Sequence, residues 1–478
     1  MVAVAKRKEW IVWGTSLFLA LLSAIYLFVE NHRDDDYRYI AALPFTFGVC
    51  GIVFANVRTV VRENIGVFLL HAVVFMRLVV VPFLMSLSEY AATDFRGIAE
   101  TQINAAIALM CYECVAIYLV LSIMTLMSGR ESVARSQYVL SDAPPSSWFR
   151  AIVFAMTLYC VAVWIGVPTC RQLYKTAFEF GSVDFATSLH AIGHEQVGTS
   201  SRSLQTLFKM FFDILRIVLP VYLLTFLKRR GFRPKTVIFW GVATAAAQML
   251  FIPATTARAV ISAFIIIYFL ARFYPEYSAK ITRGAIWSVC AMVAVYFTVR
   301  FVVGSRYGKD LFAYLSHVTN AYFCSIDNVA AGENLPTGYE ASTLWGCFYS
   351  AIPFNSTLFG LQVVKLQSIY NDVNGSYGQI PPMIVEGAYY FGYVLAPLFS
   401  CVCAAGAFYF GKRFANTTSG WHLASNLFLA ILCAIAIVVY NETIFLVWLC
   451  EWLIPMKILS RLADRDKKRR FVDPAYEI

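Results

Sequence analysis

Asn64 to Ser88 reads NIGVFLLHAVVFMRLVVVPFLMSLS, a run with no acidic residue and only His71 and Arg77 as basic ones. A membrane-spanning helix needs about 20 mostly apolar residues, so this stretch is long enough to cross a bilayer. Runs of the same kind recur at 11–29, 38–57, 64–88, 101–127, 150–167, 206–227, 236–252, 255–273, 284–303, 381–410, 421–440 and 443–460. They predict an all-α, polytopic integral membrane protein with about 12 transmembrane helices. The chain has 478 residues, 59% of them hydrophobic and only 14% charged, which leaves little room for a soluble domain. A single membrane domain over 1–478 follows.

The formal charge of +10 sets topology here and does not mark a nucleic-acid surface, because the Lys and Arg residues sit in short connectors between apolar runs. With both termini in the cytoplasm, six basic groups fall on the inner side. They are Arg58/Arg62, Arg130/Arg135, Lys228-Arg229-Arg230 with Arg233/Lys235, Arg272/Lys280/Arg283, Lys412/Arg413, and Lys467-Lys468-Arg469-Arg470. The opposite side receives Asp34-Asp35-Asp36, a few scattered basic residues and two long loops, at about 168–205 and 304–380. The first span, Ile11 to Val29, follows Lys6, Arg7 and Lys8 without a small-residue cleavage site and is expected to be retained.

Loops longer than about 15 residues are usually functional or disordered. The larger one carries Leu344-Trp345, Phe348-Tyr349, Leu358-Phe359 and Val363-Val364, too much apolar surface for a linker. It is expected to fold against the membrane surface through short amphipathic helices. Nine of the twelve cysteines lie in predicted spans, where a thiol packs as a small apolar group. Cys324 and Cys347 share the large loop and either pair in an oxidising compartment or remain free thiols.

An ionisable group inside a span is costly and marks pairing or function. Arg77 lies eleven residues from the outer end of the third span, and Glu113 twelve from the outer end of the antiparallel fourth. At 1.5 Å rise per residue both sit about 16–18 Å deep, so a structural ion pair between them is expected. Asp213 and Arg216 share a face of the sixth span, and Pro220 cannot donate to the Arg216 carbonyl. A locally opened helix facing a polar cavity is the expectation. Arg258 lies one turn into the eighth span beside Pro253, and Arg300 and Arg306 end the ninth. Glu386 enters the tenth, and Glu442 occupies the corner between the last two. Each of these arginines, taken alone, reads equally as a side chain snorkelling to headgroups. Together they suit an anionic headgroup and a general base in one outer-leaflet cavity.

Gly375 to Gly392 reads GSYGQIPPMIVEGAYYFG. This resembles the segment after the large outer loop of bacterial Wzy-type oligosaccharide repeat-unit polymerases. There a Gly-rich stretch leads into a helix with a glutamate or glycine, an aromatic pair and Phe-Gly. Ala257-Arg258-Ala259 similarly resembles that family's small-Arg-small helix entry. Pro381-Pro382 stands where the family has one proline or none. The resemblance implies a metal-independent glycosyltransferase without a cofactor, at the outer face of a bacterial plasma (inner) membrane, in O-antigen, capsule or exopolysaccharide synthesis. Undecaprenyl-pyrophosphate-linked oligosaccharides would be its substrates, with membrane lipids and a chain-length regulator as further partners. In that reading Glu386 deprotonates the acceptor hydroxyl and Asp213 is the reserve base. Arg216, Arg258, Arg300 and Arg306 bind the diphosphate; only Glu386 and Arg258 come from motif positions.

Two other functions fit the architecture: a flippase or transporter for lipid-linked sugars, and an O-antigen ligase. A transporter predicts charged residues in both membrane halves and repeated halves, neither of which the sequence displays. His190, His194 and Glu195 have ligand-like spacing, but with no second cluster they read as a polar surface and not as a zinc site. No phosphate-cradling Gly-rich loop precedes a helix, which argues against ATP-driven transport.

Overall fold

The segment Gly420–Val439 contains no Asp, Glu, Lys or Arg and is apolar on nearly every side. A helix of that kind is buried either in protein or in lipid. The computed structural model of the chain describes residues 2–30, 37–90, 95, 98–128, 140, 144–167, 170, 199–250, 256–285, 287, 311–355, 363–376, 379–439 and 441–464. In it, 89% of the Gly420–Val438 span is buried. Leu423, Leu427, Phe428 and Leu432, from the part up to residue 432, join an apolar core with helices Ser147–Gly166, Thr199–Arg229 and Thr256–Phe273. Cys433, Ala436, Ile437 and Val438, from its second half, join another core with Ile65–Phe75, Glu100–Met127 and Leu398–Ala415.

The fold is all-helical and suits a polytopic membrane protein, but the span count departs from the sequence expectation. Among the described residues eight helices are long and apolar enough to cross a membrane, or nine if one bent pair counts as a single crossing. The eight are Trp13–Glu30, Ile65–Leu87, Glu100–Met127, Ser147–Gly166, Ser203–Arg229, Tyr393–Ala415, Gly420–Val438 and Glu442–Ala463. The expected span at 38–57 shrinks to the 12-residue helix Ala42–Val53, about 18 Å long at 1.5 Å per residue against a hydrocarbon core of about 30 Å. The one at 236–252 becomes Pro234–Leu250, 17 residues. At 255–273 the helix bends by 113° into Pro275–Ala285, where Pro275 cannot continue the hydrogen-bond ladder. The run 284–303 falls almost wholly outside the described residues.

The expected span 381–410 is two helices. Met383–Phe391 ends at Gly392, whose φ of 75° and ψ of 170° only glycine adopts readily, and Tyr393–Ala415 starts afresh. The large connection before it is folded where described, as helices Leu311–Phe323, Ile326–Ala330, Glu340–Ala351 and Leu366–Asn374. Ile326, Val329 and Ala330 are buried in the second core.

Local chemistry fixes the boundaries of the run that opens at Asn64. Its side chain caps the helix by accepting from the N–H groups of Gly66 (3.0 Å) and Val67 (3.3 Å), and donates to the Phe408 carbonyl at 2.7 Å. Gly66 allows the backbones to touch, since a Cβ there would run into the Ala407 carbonyl. Gly66→Ala should therefore destabilise the protein by about 1–3 kcal/mol, read as a lowered Tm in detergent. Gly14→Ala, where a Cβ meets nothing within 4 Å, should leave the Tm unchanged or slightly raised.

Candidate functional site

Pro82 cannot donate to Leu78, and the chain accommodates this with a π-turn over Met76–Val80 that carries Arg77. Arg77 Nη1 donates to Glu113 Oε2 at 2.6 Å, in a pair almost wholly sealed from solvent. Arg77 Nε donates to the Cys324 carbonyl at 3.1 Å, and Ser400 Oγ donates to Glu113 Oε1. Cys324 itself has φ +42°, a conformation strained for a residue with a Cβ. One ion pair thus links two spans, the start of a third and the large folded connection.

Asp213 Oδ1 lies 3.8 Å from Arg216 Nη1, and both side chains are buried. The expected opening at Pro220 does not occur, because Thr199–Arg229 runs through the proline as one helix. The carbonyl that Pro220 frees is taken by Gln248 Nε2 at 3.3 Å, while Arg216 donates from Nε to Gln248 Oε1 (2.9 Å) and from Nη2 to the Gln248 carbonyl (3.3 Å). Beside Asp213 a narrow crevice is lined by Met210, Trp448, Glu451 and Trp452.

Glu386 is 0% exposed and Glu442 5%. Glu386 Oε2 accepts the Glu442 backbone N–H at 2.9 Å. Glu442 Oε1 accepts from Cys347 Sγ (2.8 Å) and from Tyr390 Oη (3.0 Å), and Thr443 Oγ1 donates to Cys347 Sγ at 3.0 Å. Burial pushes the Cys347 thiol up to about 12 and raises the Tyr390 phenol as well, so both keep their protons and act as donors. Glu386 Oε1 and Glu442 Oε2 are buried without a hydrogen-bond partner. Among the described residues neither carboxyl group has a Lys, Arg or His in ion-pair range.

Arg258 belongs to helix Thr256–Phe273, but its side chain lies outside the described residues, as do Arg300, Arg306, His190, His194 and Glu195. Arg216 and Glu386 do not sit on the same core. The Arg216 helix packs in the first, the Glu386 helix in the second, and both touch Gly420–Val439. Cys324 and Cys347 are separate free thiols, one near the Ile380 carbonyl at 3.5 Å and the other on Glu442.

Several partners escaped the sequence reading. Gln248, the lone amide in Ala245-Ala246-Ala247-Gln248-Met249-Leu250, was a usable signal that an apolar run held a polar contact. Cys347 and Tyr390 gave none, since their role depends on how the large connection folds back. The same holds for Asp327, fully buried and accepting from Tyr37 Oη (2.8 Å) and Asn320 Nδ2 (2.7 Å).

Arg77→Met and Glu113→Gln should each destabilise the protein by about 3–5 kcal/mol, because each strands a buried charge. The double variant should lose much less than the sum, measured by Tm in detergent. Additive losses would argue against the contact. Compared with protein-family models, with curated proteins and with solved structures, the chain gave no match.

Proposed function

We propose that this protein joins lipid-linked oligosaccharide repeat units at the outer face of a bacterial plasma membrane. In this reading the acceptor hydroxyl attacks the anomeric carbon of the growing chain, whose bond to the polyprenyl pyrophosphate oxygen breaks. Glu386 takes the hydroxyl proton, and the pyrophosphate leaves as an anion. Arg216, Arg258, Arg300 and Arg306 are assigned to that anion, where charge develops. Asp213, held beside Arg216, is the reserve base. An outward-facing 304–380 connection completes the arrangement.

The observation that carries the reading is the Glu386 carboxyl, at the family-like motif, buried without a cation beside a second carboxyl. A carboxyl group kept in apolar surroundings without a counter-ion is costly, and such groups concentrate where proton chemistry is done. Helix Glu340–Ala351 covers this corner through Cys347, while its Trp345 and Phe348 point outward and are exposed. Substrate reaches Glu386 when that helix moves aside.

The test is cellular. Deletion of the gene should leave single-repeat glycan on its acceptor, visible as loss of the ladder on a gel. A bare acceptor would indicate a ligase, and units trapped inside the cell a flippase. Glu386→Gln and Arg258→Ala should reproduce the deletion, each lowering polymer at least a hundredfold with unchanged amounts of membrane protein. Wild-type ladders from either variant would reject its assignment.

A further inference from the structure

The turn that joins Leu398–Ala415 to Gly420–Val439 gathers cations from three elements. Arg272, at the end of Thr256–Phe273, donates from Nη2 to the Ala415 carbonyl at 3.2 Å and to the Thr417 carbonyl at 3.5 Å, with its guanidinium over the Phe414 ring. Lys457, from the span Glu442–Ala463, donates to Asn426 Oδ1 at 2.6 Å, and Asn426 Nδ2 donates to Thr417 Oγ1 at 3.0 Å. Thr417 Oγ1 in turn donates to the Arg413 carbonyl at 2.6 Å. Arg461 follows Lys457 by four residues and so shares its helix face. Arg413 and Arg461 both lie near enough to repel the Lys457 ammonium.

Four cations thus meet around one short turn, and their partners are carbonyls, an amide and aromatic rings. Among the described residues none of the four has a carboxylate in ion-pair range; Asp464, at the end of the same span, lies 3.4 Å from His422. Like charges gathered in this way repel one another until an anion joins them. Two further features of the turn suit an anion. It leads into the N-terminus of a 20-residue helix, where the backbone amides carry a partial positive charge. Ser419 Oγ, just before that helix, and Arg272 Nε are both buried without a hydrogen-bond partner.

This place is separate from the carboxyl corner. Glu442 begins the span that carries Lys457, and Lys457 comes 15 residues later, about 22 Å along the axis at 1.5 Å per residue. An anion at the turn therefore takes no part in the chemistry assigned to Glu386. Beside Lys457 on the same helix, Ile454 and Ile458 are exposed. The cations stand where an apolar flank ends, the position in which basic pockets between spans take lipid headgroups.

We propose that this turn binds the phosphate group of an anionic phospholipid, with Arg413, Lys457 and Arg461 around the phosphate and Ile454 and Ile458 along the acyl chains. A lipid headgroup and inorganic phosphate offer the same chemistry, and the exposed isoleucines favour the lipid. The site does not depend on the polymerase reading.

The test uses full-length protein in detergent, washed free of native lipid. It is mixed with phosphatidylglycerol, with phosphatidylcholine at the same mole fraction, or with inorganic phosphate against sodium chloride of equal ionic strength. Phosphatidylglycerol should raise the Tm by about 3 °C or more above phosphatidylcholine, and inorganic phosphate should not. Arg413→Gln with Arg461→Gln, both at exposed positions, should lose at least half of that rise. Arg229→Gln with Arg230→Gln removes the same charge from exposed positions on a neighbouring helix and should keep it. An equal loss from the two pairs would mean general attraction to a charged surface and overturns the site, as does an equal rise with phosphatidylcholine. The same rise with inorganic phosphate overturns the lipid as the source. If the Arg413/Arg461 pair fails to fold, native mass spectra of wild type decide: phosphatidylglycerol should stay bound at a collision energy that strips phosphatidylcholine, and loss of both at one energy overturns the proposal.

Discussion

In a bundle whose outer solvent is lipid, the helix that protein encloses on nearly every side fixes how its neighbours pack, and Gly420–Val439 is that helix. Its first half is covered by one set of helices and its second half by another, so two cores share one rod. The packing is close enough for backbones to meet at glycines, as Gly66 does on Ala407. The long apolar runs around it therefore bury one flank and leave the other exposed. Phe18, Ile52, Phe154 and Val402 are among the large side chains that remain outside, as expected of helices whose outer solvent is lipid.

Within that apolar frame each buried charge has to be answered, and three sites answer differently. Arg77 and Glu113 neutralise one another and enlist Ser400 and the Cys324 carbonyl. Arg216 lies beside Asp213 and binds Gln248, whose amide also closes the gap left by Pro220. Glu386 and Glu442 have no cation, so a proton must do what a partner does elsewhere. That difference separates the corner from the two sites where opposite charges lie side by side.

The sequence was most legible where a property is local. Run length and hydropathy located the eight strong spans, and equal depth on antiparallel helices placed Arg77 opposite Glu113. It was least legible where tertiary geometry decides. Ala42–Val53 is as apolar as a span but stops at 12 residues, and a break at Gly392 divides a run whose composition never changes. The motif pointed to Glu386, yet the partners that define its surroundings, Glu442 and Cys347, lie 56 and 39 residues away on either side. No periodicity connects them. Pro220 removes one backbone donor, but a glutamine from the next helix takes the freed carbonyl, so the helix does not open there.

Among the hydrogen bonds that hold the large connection to the bundle, those at Cys324 and Cys347 differ in kind. At Cys324 its carbonyl takes a charged hydrogen bond from a buried guanidinium, the stronger kind. At Cys347 it offers a thiol, among the weakest donors in a protein. The connection is thus anchored at Cys324 by the buried Arg77 guanidinium and closed over the carboxyl corner at Cys347 by neutral donors.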